Sequence, residues 1–130
     1  MKHLLRSIPV IAIVLVFQPS FAQTKWNTPS DQRYIKNPLE NNKAVIPAAR
    51  QLYTSMCISC HGENGKGDGT DAAALTPKPA NYTSRTIKRE TDGSLYWKMT
   101  TGHGPMKAYG EKLTDAQRWG LVSYIRTLEF

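Results

Sequence analysis

Cys57-Ile58-Ser59-Cys60-His61 is the stretch that decides how the rest of the chain is read. It holds both cysteines of the protein, and a histidine follows the second directly. C-x-x-C-H is the attachment signature of a c-type haem. Two thiols three residues apart on one helical turn can each add to a vinyl group of the same porphyrin. The next residue then aims an imidazole at the iron from the same side. The spacing therefore predicts thioethers at Cys57 and Cys60 and a proximal iron ligand at His61.

Two other readings compete for the motif. A thioredoxin-like dithiol also uses C-x-x-C, but it expects a βαβ setting, and no alternating strand pattern surrounds these residues. A structural zinc site needs four Cys or His ligands. Beyond residue 22 the chain offers Cys57, Cys60, His61 and His103, and a zinc site would have to use all of them. Covalent haem asks least of the rest of the chain; zinc and a dithiol stand as the alternatives.

Outward from the motif, the chain begins with an export pattern. Lys2 and Arg6 give a positive start, and residues 8–17 form an apolar run broken only by Pro9. Ser20-Phe21-Ala22 then places small residues where a signal peptidase reads them, so a signal peptide over residues 1–22 with cleavage after Ala22 is expected. The run is too short for a retained span, which needs about 20 apolar residues. Export and C-x-x-C-H are independent features that point to the same compartment.

Cleavage would leave about 108 residues, one small domain. Such a domain buries a modest apolar core, and a porphyrin would supply much of the missing interior. The formal net charge is +7, and loss of Lys2 and Arg6 lowers it by two. The remaining positive charge suits steered docking to an acidic partner. Its lysines and arginines are scattered rather than clustered, which excludes nucleic-acid binding as a reading.

Residues 23–45 are polar, carry Pro29 and Pro38, and read as an extended arm. Trp26, Tyr34, Ile35 and Leu39 are the residues expected to pin it to the domain, which spans residues 46–130. There Ile46, Ala49, Leu52, Tyr53 and Met56 recur at three- and four-residue steps, which predicts a helix running into the haem motif. Pro47 places its start nearby, and Gly62 its end. Gly62, Gly65, Gly67 and Gly69 then alternate with polar residues. Gly65-Lys66-Gly67 lacks the Ser/Thr and the helix that a nucleotide loop requires, so a tight turn against haem is expected. Asp92 is read as the cap of a helix over 93–101 that Gly102 stops. Thr114-Asp115-Ala116-Gln117 has the form of a capping box opening a last helix. Trp119, Leu121, Val122, Tyr124, Ile125 and Leu128 form its core side.

The second axial position of a haem iron decides its use: a strong donor makes an electron carrier, an empty site binds O₂ or peroxide. Met56, Met99, Met106 and His103 are the candidates. Met56 adjoins Cys57 on the proximal side, and Met99 sits in an amphipathic segment. Met106 follows Gly102-His103-Gly104-Pro105, a loop that can bring a thioether over the face opposite His61, and it is favoured.

From residue 48 to 130 the chain resembles the class I monohaem c-type cytochromes of bacterial periplasms. The resemblance rests on Leu52-Tyr53, C-I-S-C-H-G, G-x-G-D-G, L-T-P-K-P, G-x-G-P-M-K-A-Y-G and W-G-L-V-S-Y-I-R-T-L, in that order. It implies an all-α, class I cytochrome c fold, three to five helices around one covalently bound haem c. It matches Cys57 and Cys60 to the thioether cysteines, His61 to the proximal ligand and Met106 to the distal one. Pro77 resembles the proline whose carbonyl accepts the proton of the ligand histidine, a bond that fixes the imidazole tautomer. The arm with Lys36-Asn37-Pro38-Leu39 looks like the extension of some monohaem members. Two positions depart from the pattern. Lys107 follows Met106 where proline is usual, which implies a less rigid loop. Ala49 stands where glycine is usual at the helix crossing, which implies wider packing near Tyr124.

The function so implied is one-electron transfer between redox protein partners with acidic docking surfaces. There is no nucleophile or acid–base pair to assign, so no catalytic site is expected. Lys66, Lys78, Lys107 and Lys112 are candidates for a basic rim. A haem enzyme or gas-binding protein with a labile sixth ligand is the alternative, as is a fixed subunit of a membrane-bound respiratory complex.

Overall fold

Pro47 stands in the first turn of the helix that leads into the haem motif, where a missing N–H leaves nothing unpaired. The computed structural model describes residues 25–128, so the expected signal peptide lies outside the described residues. In chain order the helices are α1 (Ser30–Arg33), α2 (Ile46–Met56), α3 (Ile58–His61), α4 (Arg85–Lys88), α5 (Asp92–Thr101) and α6 (Asp115–Thr127). Turns of 3-10 helix occupy Lys43–Val45 and Ala72–Ala74. Among the described residues no strand forms, and His103 and Met106 make an isolated bridge. The all-α expectation holds, and five α-helices fall between residues 46 and 130.

The frame is the packing of α2 and α5 on α6. The apolar face of α2 buries Ala49 and Tyr53, with Ile46, Leu52 and Met56 partly covered at its edges. In α6 every residue from Arg118 to Ile125 is buried, which makes it the central element of the core. The Tyr53 and Tyr124 rings meet with centroids 5.2 Å apart. At the crossing Ala49 faces Gly120: a Cβ built on Gly120 would lie 3.7 Å from the Ala49 Cβ. The expected widening near Tyr124 is thus absorbed on the partner helix, where a missing side chain makes room for the alanine.

Local signals set the start of α6 and the end of α3. Thr114 and Gln117 form the capping box, each side chain accepting from the other's backbone N–H, at 3.2 Å and 2.9 Å. Gly62, at φ +80°, stops the helical turn after His61 in a conformation only glycine adopts without strain. The helix over 92–101 begins one residue earlier than expected. Its cap is Thr91, whose hydroxyl accepts from the Ser94 N–H at 3.2 Å. Asp92 instead sits in the first turn, where its charge suits the helix dipole, and binds Arg126 at 2.7 Å.

Within the described residues 25–45 the arm is not extended throughout. It folds one turn, α1, against α5 and continues into the 3-10 turn before α2. Tyr34 is 74% exposed and Ile35 41%, so neither pins it. Leu39 packs on the core as expected, and polar contacts do the rest. Asn37, buried, donates to Asp92 at 3.1 Å and Ser123 at 3.0 Å, tying the arm to α5 and α6 together. Thr28 meets Ser94 at 2.5 Å, both of them buried. Gly93 permits this approach: a Cβ there would lie 2.8 Å from the carbonyl oxygens of Arg33 and Ile35.

Candidate functional site

Cys57 breaks the helical path between α2 and α3, at φ −121°, without losing the hydrogen-bond ladder. Its N–H donates to Tyr53 O at 2.9 Å, and its carbonyl accepts from His61 N at 2.9 Å. Both thiols and the imidazole therefore stand on one continuous turn. The thiols are free and partly buried. Burial, with a smaller contribution from Cys60, pushes the Cys57 thiol up to about 11, so it stays protonated at neutral pH.

The glycine-rich stretch after His61 folds straight back onto this turn. Gly67 N–H donates to His61 O at 2.8 Å, Gly69 N–H to Cys60 O at 3.2 Å, and Asp71 N–H to Ser59 O at 2.8 Å. These bonds satisfy the carbonyls that α3 leaves open at its end. A Cβ at Gly69 would lie 2.5 Å from the Ile58 carbonyl oxygen, so the close return needs glycine. Tyr53, buried under the turn, donates its hydroxyl to Gly62 O at 2.7 Å.

His61 is buried, 8% exposed, and its Nδ1 donates to the carbonyl of Ala80 at 3.2 Å. This corrects the expected role of Pro77. Tyr82 N–H binds Gly65 O at 2.7 Å, which docks the stretch before Tyr82 on the loop after the histidine and lays the Ala80 carbonyl on the ring. Pro77 lies further along, 3.9 Å through its Cδ from where a Cβ on Gly104 would stand. Tyr82 stacks on the imidazole, with centroids 4.7 Å apart and planes 16° off parallel. Burial lowers the pKa of His61, and the bond to Ala80 partly opposes it, so the ring is held neutral. With Nδ1 carrying the proton, Nε2 is left as the lone-pair donor.

Met106 sits on a tight turn. His103 N–H donates to Met106 O at 2.9 Å and Met106 N–H to His103 O at 3.0 Å, closing the loop through Gly104 and Pro105. The chain beyond is laced to the end of α5, Tyr109 N–H on Met99 O at 3.0 Å and Gly110 N–H on Thr100 O at 3.1 Å. Met106 is partly buried against the core, whereas Met99 is a core residue and His103 is exposed and stacked on Trp26. The rim lysines Lys66, Lys78, Lys107 and Lys112 are all exposed, and Lys78 also donates to the carbonyls of Ala72 and Ala73, at 3.1 Å and 2.6 Å.

Ala80 and Tyr82 take site roles that the sequence does not signal. Tyr82 ends a run of two prolines and an asparagine and carries no spacing signal. A backbone carbonyl carries none at all.

The donor set fits a covalently held porphyrin: two thiols and one imidazole of fixed tautomer on a single turn, with a thioether on a nearby loop. Among the described residues no three His, Cys, Asp or Glu side chains come together to hold a metal ion. Zinc would need such a cluster.

Known proteins agree with that chemistry. Residues 46–129 match the family model described as Cytochrome c. Cytochrome c-555 of Chlorobaculum tepidum is 32% identical over 80 residues, covering 60% of this chain and 71% of that protein. A chain of the reducing HAO-like protein complex of Kuenenia stuttgartiensis superposes with a TM-score of 0.60 at 26% identity. The match covers 72% of this chain and 49% of that one, so this chain spans about half its length. The chain belongs to the cytochrome c family, and within it to the class I monohaem c-type cytochromes, whose covalently bound haem c transfers electrons.

Proposed function

We propose that this cytochrome is a periplasmic one-electron carrier, with haem c joined to Cys57 and Cys60 and held between His61 Nε2 and Met106 Sδ. The observation that carries the reading is the bond from His61 Nδ1 to Ala80, which aims the other ring nitrogen away from the backbone. Bound there, haem c supplies a reversible Fe(II)/Fe(III) couple, and a thioether ligand favours the ferrous form. The residues around the site exclude water and hold the ligands still. Tyr82 covers the imidazole, Tyr53 fixes the turn at Gly62, and the His103–Met106 pair closes the distal loop. The export pattern of residues 1–22 supports a periplasmic setting. Exposed Lys66, Lys107 and Lys112 support small, transient, salt-sensitive contacts with acidic redox partners.

A second reading is a fixed subunit of a larger redox assembly. The likeness to a chain of an HAO-like complex favours it, as does the exposed Tyr34-Ile35 pair on the arm.

The test uses protein matured with its haem. Haem that stays with the chain through acid and organic solvent, and Met106→Ala protein that loses the ferric charge-transfer band at the red end of the visible spectrum and binds carbon monoxide, are expected. Freely extracted haem, or an unchanged Met106→Ala spectrum, would overturn the assignment. Electron delivery that slows as salt rises marks the carrier. Turnover of peroxide with a readily exchanged sixth ligand marks an enzyme instead.

A further inference from the structure

The loop that carries Met106 has little holding its outer side. His103, Gly104, Pro105 and Lys107 are all exposed, and Lys107 lacks the fixed φ that a proline after the methionine would impose. One aromatic contact reaches this loop from outside. The indole of Trp26 stacks on the His103 ring, centroids 5.2 Å apart and planes 24° off parallel. The Lys98 ammonium lies 5.7 Å from the centroid of the same indole.

Trp26 is not a loose end. Thr28, two residues on, is buried and bonded to Ser94 of α5, and its carbonyl accepts from Arg33 at 3.3 Å. Thr91 in turn donates to the Arg33 carbonyl at 2.5 Å. Lys98 is itself held by Glu90 at 2.7 Å. The indole thus stands on an anchored segment and bridges α5 to the turn closed by His103 and Met106. His103 is joined to Met106 by both backbone bonds of that turn, so a force on the histidine ring acts on the methionine.

We propose that Trp26 is a positioning residue for the sixth iron ligand: its stack on His103 keeps the Met106 loop closed, and loss of the stack raises the population in which Met106 has left the iron. The inference rests on the reading of Met106 as that ligand. It gives the arm a role in the chemistry as well as in the fold. An aromatic pair of this kind shifts an opening equilibrium by about twofold to twelvefold.

The experiment uses haem-loaded protein and four variants: Trp26→Ala, Trp26→Phe, His103→Phe and Met106→Ala. Carbon monoxide binding to the reduced form reads the open population, and the ferric charge-transfer band at the red end of the visible spectrum reads the thioether bond. Trp26→Ala is expected to bind carbon monoxide about twofold to twelvefold faster and to weaken the band under conditions where it is still folded. Trp26→Phe and His103→Phe keep an aromatic pair and should behave as the parent. A Trp26→Ala protein that melts earlier but keeps the parent's band and carbon monoxide rate would overturn the proposal while leaving the ligand assignment intact. Loss of the band in His103→Phe, or its survival in Met106→Ala, would overturn the ligand assignment and the proposal with it.

Discussion

The Nδ1 of His61 and the carbonyl oxygen of Ala80, nineteen residues apart in sequence, lie 3.2 Å apart across a buried boundary. The imidazole is oriented by backbone on one edge and by the Tyr82 ring, 4.7 Å away, on one face. That pair of contacts gives a histidine on a short helix one tautomer and one direction, as the proposed role of axial ligand requires.

Tyr82 should therefore matter more for its ring than for its hydroxyl. Tyr82→Phe is expected to stay within about 1 kcal/mol of the parent, and Tyr82→Ala to lose about 3 kcal/mol, as truncations of buried aromatics do. The ferric haem methyl proton shifts, which follow the plane of the axial imidazole, should move in Tyr82→Ala and not in Tyr82→Phe. Equal effects of the two substitutions would show that the stack does not orient His61.

Gly93 and Gly120 should answer the same substitution with opposite signs. A Cβ at Gly120 meets Ala49 at 3.7 Å and Val45 at 4.0 Å, ordinary contact distances. Gly120→Ala in the middle of α6 is then expected to stabilise by about 0.5 to 1 kcal/mol, through lower unfolded-state entropy. A Cβ at Gly93 runs into the carbonyls of Gln32, Arg33 and Ile35. Gly93→Ala should cost more than about 1 kcal/mol despite better helix propensity, because α1 must move off α5. Urea melts of both variants decide it; a stabilised Gly93→Ala would mean the arm is not seated as described.

Arg118 is a buried cation caged by carbonyls. Its Nη1 donates to Tyr109 O at 3.3 Å, Gly110 O at 2.5 Å and Leu113 O at 3.0 Å, and its Nη2 to the Tyr96 hydroxyl at 2.9 Å. Asp115 pairs with it from the first turn of α6. Arg118→Met would strip the 109–113 loop of its donors and is expected to cost about 3 kcal/mol in chemical denaturation. Arg118→Lys should recover less than half of that, since an ammonium cannot reproduce the planar fork. Full recovery by lysine would reduce the role of Arg118 to charge alone.

Glu90 should give the fold part of its acid sensitivity. Burial is the largest influence on its carboxyl and favours the neutral form. Hydrogen bonds from Lys98 and Ser94 and the charges of Lys98 and Arg33 outweigh it, and the pKa is lowered. A lowered carboxylate pKa stabilises the fold above the unfolded value, and that stability is lost as pH falls through the folded one. The melting temperature should thus drop as pH falls below the usual Glu value of about 4.3 and on through the lowered folded value. Glu90→Gln should flatten part of that slope, modestly because the pair is partly exposed. An unaltered pH slope in Glu90→Gln would assign the acid sensitivity elsewhere.

Features that depend on near neighbours in the chain are legible in the residues alone. The C-x-x-C-H spacing, the three-and-four periodicity of α2, the Gly62 stop and the Thr114–Gln117 capping box each act across a few residues. Helix geometry converts such spacing directly into direction, so the residue types alone name the cofactor and the central helices. Tertiary structure decided the contacts between distant segments. Ala80 rather than Pro77 meets His61, because Tyr82 and Gly65 set where the loop returns. Thr91 rather than Asp92 caps α5, leaving the Asp92 carboxylate to bind Arg126 and Asn37 from other elements. The arm is fastened by Asn37 and Thr28 rather than by Tyr34 and Ile35, because buried polar groups take whatever partners the packed helices present. A backbone carbonyl looks the same at every position of a sequence, and only the fold decides which one a histidine finds.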